Sequence, residues 1–228
     1  CIVRTDSRGA VYVFWEGSEK KQSVQLMARS FDGGVKFEKE WAVANVVDVG
    51  GFDPVQGRFT FDGIAGGRTN SFPSVDIANG APDGNGPDTI VMVWSDARNG
   101  LNNEEALLQV STDGGETWSA PVNAAESSDR PDFPWVAISP DGADVYVTYN
   151  GFLDPFRNNL DDPRRFQGVV RHADVPELSF STVHRGAIGD GRASSANSQV
   201  VEFLGDYNFV DATNDGAVAV WIDARNAA

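Results

Sequence analysis

The 228-residue sequence predicts an all-β protein that forms a β-propeller. Short alternating runs of Val, Ile, Tyr, Phe and Trp recur between clusters of Gly, Asp, Asn and Pro, a pattern typical of strands joined by turns. Helical periodicity is nearly absent. Four of the runs end alike on an aromatic residue, which makes them an internal repeat. These runs are GAVYVFW at 9–15, TIVMVW at 89–94, ADVYVTY at 143–149 and GAVAVW at 216–221.

Each repeat is predicted to be a meander of about four antiparallel strands. A short strand precedes the aromatic-ended run, as in SFPSVDIA at 71–78 and DFPWVAIS at 132–139. A third strand follows it, as in VQLMARS at 24–30 and ALLQVS at 106–111. Radial repetition of such meanders produces a β-propeller.

We therefore expect a single incomplete propeller domain, 1–228, with about three and a half four-stranded blades. The predicted units are 1–48, 71–125, 131–195 and 196–228. The last unit stops after its second strand, and the Gly-rich segment 49–70 links the first two. A propeller closes only when its last blade meets its first, so we expect these residues to belong to a longer parent chain.

Composition excludes several kinds of partner. The 33 acidic and 18 basic residues give a formal net charge of -15, which opposes binding to nucleic acid. No apolar run reaches the roughly 18 residues that a membrane span requires, so no membrane insertion is expected. Cys1 is the only cysteine, which rules out an internal disulfide. The dispersed acidic residues are typical of a surface adapted to a salty or extracellular medium, and a cation-binding surface is the alternative.

The sequence STDGGETW at 111–118 has an imperfect copy, SFDGGVKF, at 30–37. It resembles the Asp-box, or BNR repeat, of sialidase-like propellers, whose pattern is Ser/Thr-x-Asp-x-Gly-x-Thr-Trp. The matching residues are Ser111, Asp113, Gly115, Thr117 and Trp118, and in the first copy Ser30, Asp32, Gly34 and Phe37. The resemblance implies a structural turn between the third and fourth strands, in which Asp accepts backbone N–H bonds and the aromatic residue packs between strands. It also implies that the parent propeller has six blades.

Candidate functional residues are expected at the other end of the strands, near the centre of the propeller. The segment 203–225 is similar to secreted sialidase-like proteins, and this resemblance places Asp206 and Tyr207 near a central channel. Arg68 and Arg130 each precede a predicted inner strand by a few residues. These four residues form our predicted ligand-binding set, and Asp206 and Tyr207 are the candidates for catalysis.

The catalytic set of sialidases is not carried over to this chain. Those enzymes use three arginines, an acidic Asp, and a Tyr nucleophile activated by a Glu, and a Phe/Tyr-Arg-Ile-Pro motif supplies the first arginine. That motif is missing here. We therefore expect an extracellular or cell-surface propeller with a glycan-binding, protein-binding or structural role, with self-assembly through the full-length chain as a further option. The alternative is an exo-acting glycoside hydrolase with part of its catalytic set outside this chain.

The residue pattern bears on two metal types. DATNDG at 211–216 and DIANGAPDGNGPD at 76–88 carry oxygen ligands in Gly-rich loops, and the calcium candidates are Asp211, Asn214 and Asp215. Ordinary Asn/Asp-Gly turns explain both loops better than a calcium site does. His172 and His184 have no Cys or further His at metal-ligand spacing, so no zinc site is predicted. Calcium is thus the only cofactor that the sequence leaves open.

A repeated Asp-x-Arg sequence and one long loop indicate how the strands are connected. WSDARNG at 94–100 and WIDARNA at 221–227 each place an Arg two residues after an Asp, which favours an ion pair within the loop or to a neighbouring blade. The loop at 150–168, NGFLDPFRNNLDDPRRFQG, is long and rich in Pro, Arg and Phe. It is suited either to a binding surface or to a brace against a neighbouring blade.

Overall fold

The computed structural model describes residues 1–54, 57–63, 67–80, 88–159, 161–192 and 204–225. These residues form antiparallel sheets, as the sequence predicts. The predicted boundary between the third and fourth units falls on 193–203, outside the described residues. No helix among the described residues has the length and apolar character needed to cross a membrane.

The first sheet is a four-stranded antiparallel meander. Its strands, in both sequence and spatial order, are β1 (Ile2–Thr5), β2 (Val11–Glu19), β3 (Gln22–Ser30) and β4 (Trp41–Asn45). The segment after it contains a short separate hairpin made of β5 (Gly51–Asp53) and β6 (Arg58–Thr60). The predicted linker 49–70 therefore has secondary structure of its own.

The second and third sheets repeat this meander. The second contains β7 (Ser74–Ala78), β8 (Thr89–Asp96), β9 (Glu105–Ser111) and β10 (Val122–Asn123). The third contains β11 (Arg130–Ile138), β12 (Asp144–Phe152), β13 (Arg165–Asp174) and β14 (Ser181–Arg185), with β15 (Gly189–Asp190) also paired to β13. The fourth is a hairpin of β16 (Phe209–Thr213) and β17 (Gly216–Val220).

The sheets stack face to face. Every residue of β8 and β11 is buried, because these strands lie in sheets that are covered on both faces. In β16 only alternate residues are buried, and Val210 and Ala212 pack with Trp135 and Ala137 of the third sheet. The outward residues of the hairpin, such as Val218 at 74% exposure, lie on its uncovered face.

The two ends of the stacked sheets carry different features. The β1–β2 turn and the β3–β4 connection lie at one end, because neighbouring strands run antiparallel. Both Asp-box sequences follow a third strand and therefore lie at this end, which we call the Asp-box end. The first strands of the sheets begin at the opposite end, which we call the open end.

At the open end, one buried arginine ties the segment after the first sheet to the long loop of the third. Arg164 is fully buried, and its guanidinium group donates five hydrogen bonds, one from Nε and two from each terminal nitrogen. The acceptors are the carbonyl oxygens of Asp62 at 2.6 Å, Asp162 at 2.9 Å, Pro163 at 3.1 Å, Arg157 at 2.8 Å and Asn159 at 2.6 Å. Phe61 packs against Phe152 beside this network, with ring centroids 5.0 Å apart. The loop therefore braces its neighbours.

The ion pairs predicted in the repeated Asp-x-Arg sequences are present. Arg98 Nε lies 2.8 Å from Asp96, and Arg225 Nε lies 2.9 Å from Asp223. The first pair also reaches the preceding sheet, because Arg98 donates to the carbonyl of Asn45 at 3.2 Å. Pairing within the loop and contact with a neighbouring blade thus occur together.

We predict that Arg164→Lys destabilises the fold by about 2–4 kcal/mol, because an ammonium group has three donors and would leave at least two of the five carbonyls without one. The measurement is the free energy of unfolding from urea denaturation. The matched control is Arg165→Lys, because Arg165 is adjacent and exposed and pairs with Asp154 at 2.8 Å. We expect this control to change stability by less than about 1 kcal/mol. Equal losses of unfolding free energy in the two variants would contradict the conclusion that the five hydrogen bonds of Arg164 stabilise the fold.

Candidate functional site

A continuous set of aromatic rings lies at the open end, where the first strands of three successive sheets begin. We call this set the aromatic cluster: Phe72, Phe133, Trp135, Tyr207 and Phe209. Phe72 contacts Phe133 and Tyr207, with ring centroids 6.0 and 6.5 Å apart. Phe209 contacts Tyr207 at 6.2 Å and Trp135 at 4.6 Å. Tyr207 is 60% exposed and Phe209 is 51% exposed, so the cluster presents apolar surface to solvent.

Backbone geometry explains the orientation of the Phe133 ring. The pairing of β11 with β12 shifts register between Asp132 and Trp135, which is a β-bulge. Phe133 lies within this bulge at a φ of 48°, in the left-handed region that a bulky residue rarely adopts. Bulges of this kind redirect side chains and are frequent beside functional sites.

The fully buried Asn208 holds the cluster together between the third and fourth sheets. Its Nδ2 donates to the Phe133 carbonyl at 2.9 Å, and its Oδ1 accepts from the Ile222 backbone N–H at 3.3 Å. Tyr207 and Phe209 flank Asn208 in sequence, so this anchor fixes both rings relative to Phe133. The two exposed rings therefore flank a buried residue whose side-chain amide forms hydrogen bonds at both ends.

Three of the four predicted ligand-binding residues come together beside the cluster. Arg68 Nε donates to Asp206 Oδ1 at 2.6 Å, and a terminal nitrogen of Arg68 donates to Asp206 Oδ2, a two-point contact. These hydrogen bonds are the main reason that the pKa of Arg68 lies above its ordinary value, and the nearby Tyr207 adds to the effect. The Arg68 side chain is partly exposed, so the pair lies at the edge of the aromatic surface.

Arg130, the fourth predicted residue, is engaged elsewhere. Its guanidinium group is buried and contacts both carboxylate oxygens of Glu104, at 2.8 and 2.9 Å. It also donates to the carbonyls of Phe61 at 3.0 Å and Asp154 at 2.9 Å. With its donors engaged in this way, Arg130 serves as an interior brace in this structure.

A buried carboxyl group lies behind the aromatic cluster. Asp132 accepts hydrogen bonds from the Thr69 hydroxyl at 2.6 Å and from the Phe133 backbone N–H at 3.1 Å. Burial raises the pKa of Asp132 well above its usual range, and the nearby Asp62 acts in the same direction. The hydrogen bonds of Asp132 tie the bulge to Thr69, in the segment after the first sheet.

A second carboxyl group with a shifted pKa lies next to Phe72. The carboxyl group of Glu16 on β2 accepts a hydrogen bond from the backbone of Ser71 and shares one with the side chain of Asp48. Burial, followed by the interaction with Asp48, raises the pKa of Glu16 to about 8. Asp48 also accepts from the Ser23 hydroxyl at 2.8 Å. The pair therefore retains a proton near neutral pH.

At the Asp-box end, the second motif forms a closed local network. The Ser111 hydroxyl donates to Asp113 at 2.8 Å and accepts from the Gly115 backbone N–H at 2.9 Å. The hydroxyl and backbone N–H of Thr117 both donate to Asp113, and they lower the pKa of Asp113 to about 2. Trp118 packs edge-on against Phe14, with ring centroids 6.2 Å apart.

The first motif repeats this network with one difference. The Ser30 hydroxyl donates to Asp32 at 2.8 Å and accepts from the Gly34 backbone N–H at 3.0 Å. Lys36 replaces the threonine and contributes only its backbone N–H, at 2.9 Å from Asp32. This bond is the largest cause of the lowered pKa of Asp32. Phe37, the aromatic position of this copy, is partly exposed.

Of the three predicted calcium ligands, Asn214 and Asp215 lie at the β16–β17 turn and Asp211 lies within β16. Asn214 Oδ1 accepts from the Asp141 backbone N–H at 3.1 Å, which ties this turn to the third sheet. Within the described residues, neither Asp211 nor Asp215 belongs to a group of three side chains placed to share an ion. A calcium site at this turn stays a prediction.

The sequence does not single out several residues of the open end. Phe72 and Phe133 fall within predicted strands, Phe209 falls within the segment 203–225, and the pairing of Glu16 with Asp48 spans a strand and a loop. Position along the chain could have indicated the three phenylalanines, because each lies within three residues of the start of an inner strand, as do Arg130 and Tyr207. Nothing local in the sequence indicates the Glu16 pair.

No protein-family model and no curated protein matches this sequence. Solved structures do match its fold. The α-L-arabinofuranosidase of Fusarium graminearum from glycoside hydrolase family 93, in complex with arabinobiose, is 17% identical, with 96% of this chain and 57% of that chain covered and a TM-score of 0.54. The α-L-arabinanase of Penicillium chrysogenum, complexed with arabinobiose, is 15% identical, with the same coverages and the same TM-score of 0.54. The Hadza microbial sialidase Hz136 is 14% identical, with coverages of 91% and 38% and a TM-score of 0.49.

The likeness to the arabinofuranosidase and the arabinanase establishes the architecture. The chain has a β-propeller fold, and its described residues form two four-stranded sheets, one five-stranded sheet and two two-stranded hairpins. It spans 57% of the length of the arabinofuranosidase and of the arabinanase. At these identities the likeness is one of fold, so the function must be argued from the site.

We predict that stability falls as pH rises through the titration range of Glu16. The pKa is raised from 4.5 to about 8, so the folded state favours the protonated form. The stabilisation is fully present below about pH 4.5 and is lost by about pH 8. Glu16→Gln should remove this slope and raise the melting temperature near pH 8.5 by roughly 3 °C or more.

The measurement is the melting temperature as a function of pH for the wild-type protein and for Glu16→Gln. Glu19→Gln is the control, because Glu19 is exposed at the end of the same strand. Parallel profiles for the wild type and Glu16→Gln would contradict the assigned pKa.

Proposed function

We propose that this propeller is an extracellular or surface-displayed protein that binds carbohydrate at its open end. The observation that carries the proposal is the aromatic cluster, with Tyr207 and Phe209 more than half exposed beside the Arg68–Asp206 pair. Aromatic rings pack against the C–H faces of sugar rings, and charged groups at their edge form strong hydrogen bonds with sugar hydroxyls.

The charges favour a neutral sugar. Arg68 is already engaged by Asp206, and Arg130 is already engaged by Glu104. Neither arginine presents an isolated positive charge to a carboxylate ligand, and the net charge of -15 opposes polyanions. The groups beside the rings therefore suit hydroxyl-rich, uncharged rings better than acidic ones.

The rival function is glycoside hydrolysis, with Tyr207 and Asp206 as reacting groups. Two facts favour binding over this rival. Tyr207 is held in a stack of rings by Phe72 and Phe209, as a binding platform requires. Both carboxylate oxygens of Asp206 accept hydrogen bonds from Arg68, which suits a positioning role.

The prediction is that the 228-residue protein binds neutral glycans and that Phe209→Ala lowers the affinity about tenfold, because one stacking face is lost. A glycan array identifies the probe, and calorimetry with the best-bound oligosaccharide measures the dissociation constant. Phe31→Ala is the matched control, since Phe31 is 65% exposed but lies at the Asp-box end.

The outcomes separate the possible functions. Binding that weakens in Phe209→Ala and not in Phe31→Ala, without turnover of the oligosaccharide, supports the proposal. Release of sugar that is lost in Tyr207→Phe would establish hydrolysis instead. Binding that is equal in both variants, or no binding to any glycan, would overturn carbohydrate recognition at this cluster.

A further inference from the structure

Three potential metal ligands converge on the third sheet, at its Asp-box end. Asp144 begins β12, and His172 and Asp174 lie at the end of β13. The strands pair in antiparallel register, with Asp144 opposite Asp174 and Tyr146 opposite His172. Residues 172 and 174 are two positions apart in a strand, so their side chains lie on the same face of the sheet.

The two carboxylates both approach the same imidazole nitrogen. His172 Nε2 lies 2.6 Å from Asp144 Oδ1 and 3.8 Å from Asp174 Oδ1. One ligand atom from each residue lies within 4.8 Å of the other two. A ring nitrogen carries one hydrogen or one lone pair, so a hydrogen bond satisfies only one of the two carboxylates. A cation between the three groups would be shared by all of them.

The donor set is that of a transition-metal site. A neutral imidazole and two carboxylate oxygens are typical ligands of Zn²⁺, with a water completing the tetrahedron. Calcium and magnesium prefer oxygen donors alone. The ring centroids of Tyr146 and His172 lie 4.8 Å apart, and this contact restricts the orientation of the imidazole. The side chain of Asp174 is 76% exposed, which leaves the ligands accessible to solvent.

The location gives this site a structural purpose. In the first two sheets an Asp-box network closes the connection after the third strand. The connection after β13 has no such sequence, because HADVPELSF at 172–180 lacks the Ser, Gly and Trp positions of the motif. A metal here would clamp the ends of β12 and β13 where the other sheets use hydrogen bonds.

We propose that Asp144, His172 and Asp174 form a binding site for Zn²⁺ or a chemically similar divalent transition-metal ion. The site lies at the opposite end of the sheets from the aromatic cluster and is independent of carbohydrate binding. The sequence predicted no zinc site at His172, because the two further ligands are aspartates that only the strand register brings beside it.

The test is a Zn²⁺ titration of the 228-residue protein, followed by calorimetry and by NMR of the imidazole protons. The chain has two histidines, so His184 is an internal reference. We expect one equivalent of Zn²⁺ to shift the His172 signals and leave the His184 signals unchanged. The melting temperature should rise with Zn²⁺ and return to its starting value with EDTA.

Three variants locate the site. His172→Gln should abolish binding. Asp174→Asn should weaken it at least about tenfold, because even the loss of an outer-sphere partner costs 10–100-fold. Asp174 is exposed, so this variant is expected to fold normally. His184→Gln is the control and should bind as the wild type does.

Several results would overturn the proposal. They are unchanged affinity in His172→Gln and Asp174→Asn, no binding of Zn²⁺ up to about 1 mM, and Ca²⁺ competing as effectively as Zn²⁺. The first result would place the ion elsewhere. The second would mean that the three side chains contact one another without binding a metal. The third would indicate a site with oxygen ligands only.

Discussion

Face-to-face stacking of the sheets is the constraint on which the rest of this structure depends. The middle sheets have two apolar faces, and strands such as β8 and β11 remove every residue from water only because a neighbouring sheet covers each face. Burying apolar surface contributes roughly 25 cal/mol per Å², which makes this stacking the dominant favourable term. Because each sheet starts with the same strand direction, stacking also places the starts of the first strands side by side. The aromatic cluster is a consequence of that arrangement.

The two ends of the stack serve different purposes. At the Asp-box end, hydrogen bonds within each Asp-box turn hold the connection after the third strand. Longer-range bonds join neighbouring sheets there as well, such as the one from the Asp141 backbone N–H to Asn214, 73 positions away. At the open end, Arg68 meets Asp206, 138 positions away. The exposed rings of Tyr207 and Phe209 lie beside this pair, which favours the open end for recognition.

The sequence predicted what depends on local pattern. Alternation and a repeated aromatic residue indicated the strands, and the spacing of Ser, Asp and Gly indicated both turns. The resemblance of 203–225 to sialidase-like proteins placed Asp206 and Tyr207 near the centre of the propeller, and Arg68 joined them in the predicted set because it precedes an inner strand. Properties set by distant partners were not predictable: nothing near Arg130 indicates that Glu104 engages it, and nothing near His172 indicates that the Asp144 carboxylate contacts its ring. The left-handed backbone of Phe133 depends on a bulge that no residue type marks.

Amide hydrogen exchange of β1 and β11 tests the stacking most directly. Both are the first strands of their sheets and each pairs with a single neighbour, but β1 is covered on one face and β11 is fully buried. The account predicts that amides of β11 bonded to β12 exchange at least about tenfold more slowly than those of β1 bonded to β2, because their exposure requires separation of stacked sheets. Equal protection of the two strands in the 228-residue protein would contradict face-to-face stacking as the source of stability.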